Sequence, residues 1–219
     1  IFTKIKRIKK KKLLICLSLS FMINSAPQFI FSQNSSITNY YYYKNSKTYL
    51  DLQYDHIYVK LNQELSKDQF INSTQVFGQY LNYDKFISKE KNQILKLNLT
   101  FRNSDLTDLL NNLKSSEIFE CVSPVFSAGQ KENNNQLIAA NNEIIVQYKS
   151  NMPDNEIAEI ERSKNLTFVM TLSLTGGKTI VYKVNSNTFS FDAANEMFES
   201  GKVNYAEPNL YITNLGQYV

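Results

Sequence analysis

The chain reads as an α+β fold built twice. Residues 142–212 follow the order strand, helix, strand, strand, helix, strand, and residues 56–126 follow it too. The copies share landmarks about 85 residues apart, the mark of an internal duplication. Between them residues 130–141 are polar and asparagine-rich, which places a linker there. The pattern predicts two tandem ferredoxin-like βαββαβ units, each an antiparallel sheet with its helices on one face, the first preceded by a β-hairpin. The expected domains are 33–129 and 142–219, the second ending in a C-terminal tail.

Ahead of them, Lys4, Lys6, Arg7, Lys9, Lys10, Lys11 and Lys12 precede an apolar run at 13–23, then polar and small residues. This is the layout of a signal peptide, expected over 1–32, and the run falls short of the roughly 20 apolar residues of a spanning helix. Ile1 in place of Met marks a fragment or an unusual start codon. Residues 1–32 hold seven basic side chains and no acidic ones, so their removal takes the net charge from +4 to −3. The exported product is mildly acidic with its charges mixed along the chain, whereas a phosphate-binding groove needs clustered Lys and Arg. Nucleic acid is therefore not the expected partner. Cys16 leaves with the signal, so Cys121 stands alone, reads as a small buried hydrophobe and forms no intramolecular disulfide.

Residues 38–43 and 47–53 are tyrosine-rich strands around the turn Lys44-Asn45-Ser46. A stacking platform for bases is the rival reading, but strand packing is the commoner use of such residues. The first strands of the two copies are 56–61 and 143–148. Ser66 with Gln69 has capping-box spacing ahead of Phe70, Phe77 and Leu81. Pro153, Asp154 and Glu156 suit the first turn of the matching helix, with Ile157 and Ile160 inward. A strand pair is expected in the middle of each copy: 94–99 alternates apolar and polar, and 168–174 joins 178–184 across Gly176-Gly177. Ser104 and Ser190 are expected to cap the second helices, which carry Leu106, Leu109, Leu110 and Leu113, and Phe191, Ala194, Met197 and Phe198. Each copy then closes on a strand expected to stop at a proline, Pro124 or Pro208.

Catalytic chemistry finds few residues. A serine triad needs a base, and His56, the single histidine, sits at a strand mouth without a Gly-rich setting. One histidine and one retained cysteine cannot close a zinc shell, no acidic loop has calcium spacing, and Gly176-Gly177 is too short to cradle phosphate. No carboxylate pair is singled out. The reading calls for no catalytic residue, no metal and no cofactor.

The second unit resembles the propeptide of a secreted subtilase. The residues that carry this are Asn142-Glu143-Ile144-Ile145-Val146, the amphipathic Ala193-Ala194-Asn195-Glu196-Met197-Phe198-Glu199-Ser200-Gly201 and the phrase Val203-Asn204-Tyr205-Ala206-Glu207-Pro208-Asn209, within 142–212. The first unit is similar to the extra upstream region of subtilase precursors of Bacteroidetes type. The resemblance implies a non-catalytic inhibitor and folding template, or intramolecular chaperone. Its sheet would pack on two surface helices of a subtilisin-like serine protease, in cis or in trans, and be cut and degraded on release. It implies protease contacts at Tyr205, Glu207, Pro208, Asn209, Leu210 and Tyr211: Glu207 caps the helices, and Asn209 onward lies in the cleft as a product-like tail. The family's Asp-Thr-Gly, His-Gly and Gly-Thr-Ser phrases are missing from the sequence, which limits it to the regulatory half of a precursor. The product is expected to be secreted, periplasmic or on the cell surface, with no membrane contact after signal removal. The alternative is a secreted two-domain adhesion or assembly module without a protease partner. An RNA-recognition domain ranks far behind, because 178–184 lacks interleaved aromatics.

Overall fold

The computed structural model describes residues 37–127, 136–185 and 188–214. The expected signal peptide with Cys16, residues 130–135 of the expected linker and residues 215–219 lie outside the described residues.

The architecture is mixed α/β, with antiparallel strands throughout, and it suits the ferredoxin-like description. A hairpin of β1 (Tyr40–Tyr43) and β2 (Ser46–Tyr49) stands apart from the main sheet. Its turn residues Lys44 and Asn45 have φ of 47° and 62°, a left-handed pair whose twist matches that of the flanking strands. The first unit runs β3 (Asp51–Leu61), α1 (Lys67–Ser73), β4 (Asn92–Lys96), α2 (Asn103–Lys114) and β5 (Phe119–Ser127). The second runs β6 (Gln136–Tyr148), α3 (Asp154–Ser163), β7 (Thr167–Leu172), β8 (Thr179–Lys183), α4 (Ser190–Glu199) and β9 (Val203–Asn214). One sheet joins them in the order β4-β3-β5-β6-β8-β7, and β9 lies on the other edge of β6.

The capping box at Ser66 forms as expected: Ser66 Oγ accepts from the Gln69 amide and Gln69 Oε1 from the Ser66 amide. α1 is shorter than the spacing predicted, because a 3₁₀ turn at Gln75–Phe77 carries Phe77 and Leu81 inward instead. Arg102 and Phe189, not Ser104 and Ser190, occupy the N-cap positions of α2 and α4. Ser190 Oγ donates to the Asn141 carbonyl, which ties α4 to β6. Between α1 and β4, the expected partner strand of the first unit shrinks to one bridge, Leu81 to Leu97.

Both prolines sit inside strands. Pro124 faces Ile57 where β3 slips register between Gln53 and Ile57, and Pro208 faces Ile144 where β6 slips between Ala140 and Ile144. A missing amide is tolerated where the ladder is already interrupted by a bulge, so β5 and β9 run on past it. The expected linker is also partly strand: β6 begins at Gln136, and Leu137, Ile138 and Ala139 pair with both β5 and β9.

Three clusters hold the fold. One spans the first unit and draws in Ile138, Ala140 and Phe191 from the second. Another packs Ile144, Val146, Ile180, Tyr182 and Ala206 under α3 and α4. The third lies on the opposite sheet face, where Tyr58, Ile94, Val125, Leu137 and Ala139 gather under Tyr211. The hairpin docks on the second unit, not the first alone: Tyr42 stacks on Phe198 at 4.3 Å and donates to Glu199 at 2.8 Å.

Candidate functional site

Alternation in the second unit sends Ile144, Val146, Ile180 and Tyr182 to the helices, so their neighbours face away. Opposed residues of an antiparallel sheet share a face, and the pairing writes three rows across it. The middle row is Met170, Val181, Ile145 and Glu207. One flanking row is Leu172, Thr179, Gln147 and Tyr205; the other begins Thr167, Lys183, Glu143. The face is thus apolar at its centre and carries a carboxylate on β9.

Glu207 is half-buried, and desolvation alone pushes its carboxyl above the usual range. Around it the face is tied down. Gln147 Nε2 donates to the Thr179 hydroxyl at 3.0 Å and the Thr175 carbonyl at 3.1 Å. Asn204 Nδ2 donates to the Gly176 carbonyl at 2.9 Å, closing the β7–β8 turn against β9. Gly176 and Gly177 have φ of 97° and 144°, and a Cβ on Gly177 would lie 2.3 Å from the Tyr148 carbonyl oxygen. Toward the first unit, Lys183 and Lys60 share Glu120 at 2.9 and 3.0 Å. Their hydrogen bonds outweigh the effect of burial and hold the Glu120 carboxyl below its usual range.

Of the residues expected at a protease contact, Tyr205, Glu207 and Asn209 lie half-buried on the face away from the helices, where Asn209 Nδ2 donates to Glu143 at 2.9 Å. Pro208 and Leu210 point to the helix side, where Pro208 is buried and Leu210 packs on the core. Tyr211 lies over Tyr58, ring centroids 5.1 Å apart. Asn209 onward is therefore not a free tail as far as Asn214: it is the second half of β9, paired with Gln136 to Ala140. The physical reason is the early start of β6, whose Leu137 to Ala140 stretch gives the strand a partner. Met170, Leu172 and Val181 were not expected as site residues from the sequence, although the alternation of 168–174 held the signal for the first two.

Residues 127–209 match the fervidolysin N-terminal prodomain family. The three-row face lies wholly within that match, and the match supports a subtilase-type propeptide region. It starts earlier than the expected resemblance at 142, so the first half of β6 belongs to the prodomain-like segment. No curated protein and no solved structure gives a match.

Outside the prodomain-like segment, His56 lies within the β3 bulge, Nδ1 2.7 Å from Asp55 Oδ1. Cys121 is a buried free thiol pushed up to about 12 by burial, a setting that suppresses thiolate chemistry. Among the described residues no group of three His, Cys, Asp or Glu is placed to hold a metal, and no helix is long and apolar enough to cross a membrane.

Proposed function

We propose that the chain is the non-catalytic propeptide region of a secreted subtilisin-like serine protease precursor, acting as folding template and inhibitor of the catalytic domain. The observation that carries this reading is the coincidence of the prodomain match with a sheet face, turned away from the helices, whose row from the exposed Met170 through Val181 and Ile145 ends in the half-buried Glu207. The protease would lay an apolar surface on Met170 and the half-buried Ile145, with Val181 buried between them. Exposed helix-end amides of the protease would meet the Glu207 carboxylate, because the positive end of a helix dipole attracts an anion. Tyr205 and Asn209 flank that contact. Pro208, Leu210 and Tyr211 support it from within the domain. A product-like segment entering the cleft would then follow Asn214.

Secretion and the part played by the first unit belong to the same proposal: the first unit and the hairpin brace the second, and the ensemble is exported with its protease. Mixing the purified chain with subtilisin-like serine proteases tests it. Slow, tight inhibition is expected, weakened about 10-fold by Glu207→Gln if one helix-end contact is lost. Absence of inhibition across such proteases, with the chain folded, sinks the reading.

A further inference from the structure

Where the units meet, at the start of α4, the chain forms a narrow cavity of about 40 Å³ with a mixed polar and apolar lining. Its walls include Lys114 from α2, Cys121 and Ser123 from β5, Asn142 from β6, and Phe189 and Ser190 at the entry to α4. Lys114 Nζ and Asn142 Oδ1 are withdrawn from solvent and have no hydrogen-bond partner among the described residues. Asn142 is only 7 % exposed. A buried polar group left unpaired costs free energy, and a buried unpaired charge costs more.

The ammonium lies 3.3 Å from the centroid of the Phe189 ring, a cation–π contact that offsets part of this cost. The nearby carboxylates are engaged elsewhere. Glu120 is held by Lys60 and Lys183, and Asp192 is hydrogen-bonded to Thr38. Burial accordingly pushes Lys114 down to about 8, with Cys121 and Asp192 acting weakly the other way. α4 has no side-chain cap at Phe189, so the first-turn amides and the positive end of its dipole also face this junction.

We propose that the junction cavity binds one small monovalent inorganic anion of the size of chloride, held by Lys114 Nζ, the start of α4 and the Asn142 side-chain amide turned to present Nδ2. An amide can be turned in this way without changing its shape. Water could fill the same volume and bridge the two orphaned atoms, but it would leave the ammonium uncompensated. Because Lys114 belongs to the first unit and Asn142 and α4 to the second, the ion would clasp the two together. The site is separate from the face proposed to meet a protease, so its test is independent of inhibition.

The test uses the full chain. Its thermal midpoint is compared in sodium chloride, sodium bromide and sodium gluconate at equal ionic strength, gluconate being too large for the cavity. A saturable rise of at least about 2 °C in the halides alone is expected, along with broadening of the ³⁵Cl NMR line that bromide reverses. Lys114→Met should abolish both. Equal midpoints in all three salts with no excess ³⁵Cl broadening would assign the cavity to water and overturn the proposal. Broadening that persists in a folded Lys114→Met would equally overturn it, as binding elsewhere. If that variant does not fold, the linewidth of the unmodified chain decides.

Discussion

The two units share an order of elements, save for the strand that the first reduces to a single bridge, and a proline seated at a bulge, yet they treat their free surfaces in opposite ways. In the first, the region between α1 and β4 folds into short turns that bury Phe77, Leu81 and Phe86. Its helix-opposite face is filled by Tyr58, Ile94 and Val125 under Tyr211. In the second, β7 is a full strand on the sheet edge, with Phe168, Val169 and Met170 exposed by 57, 43 and 51 %. An uncharged, apolar edge is what a chain normally shields. The first unit is thus turned inward, while the second leaves an apolar strand at the sheet edge exposed.

The largest expected effect tests whether the two halves are one body. Phe191 belongs to α4, yet it packs in the first unit's cluster, 5.1 Å from the Phe126 ring and 6.1 Å from that of Tyr41. Phe191→Ala should cost about 3–5 kcal/mol. Urea unfolding followed by far-UV circular dichroism and tyrosine fluorescence should give one coincident transition, shifted as a whole. Two separate transitions would mean that the units are independent and the comparison only formal. Next comes Gly177→Ala, confined to the second unit. The new Cβ would meet the Tyr148 carbonyl in a backbone conformation that L residues avoid, at a cost of about 1–3 kcal/mol of strain. Unfolding midpoints read this too, and an unchanged midpoint would mean that the turn can open without disturbing β6.

The sequence carried most of this plan. Ser66 with Gln69, the Gly176-Gly177 hairpin and the helix stripes were legible because local chemistry dictates them, as capping, φ > 0 and periodicity act over a few residues. The prolines misled for a nonlocal reason. Whether Pro124 and Pro208 end a strand depends on a bulge in the facing strand, which the proline's own neighbours do not encode. The same holds for Asn209 to Asn214, which reads as a tail until β6 is seen to start at Gln136. Of the candidate face, Glu207 was visible from the motif, while the Met170–Val181–Ile145 row exists only once three strands are in register.

The duplicated bulge gives a third way to sharpen the comparison. Pro124→Ala and Pro208→Ala each add a buried amide and free the unfolded chain, so each should cost about 1–2 kcal/mol in unfolding experiments. Similar losses are expected because the two sites share their geometry. A loss at Pro124 alone would mean that β9 finds a partner for the new amide and that the repeat symmetry does not extend to energetics.

The smallest effect separates the units by charge. Glu120 of the first unit is paired on both sides: burial would raise its carboxyl, but Lys183 of the second unit and Lys60 of the first overrule it and leave the folded value below the ordinary 4.5. Its stabilisation is present above 4.5 and lost as pH falls through the lowered folded value. Glu207 has only burial acting on it, so its folded value lies above 4.5. The sign reverses: its contribution is complete below 4.5 and lost as pH rises through the raised value. Each effect should stay within about 1 kcal/mol after solvent screening. Urea midpoints from pH 3 to 8 should find Glu120→Gln weaker at neutral pH and little changed at pH 3, and Glu207→Gln slightly stronger at neutral pH. A residue that weakens its own fold while ionised, yet whose removal weakens inhibition, is retained for what it meets and not for what it holds together. Should Glu207→Gln instead destabilise the chain at neutral pH, the carboxylate serves the sheet, and the contrast between scaffold and surface fails at its sharpest point.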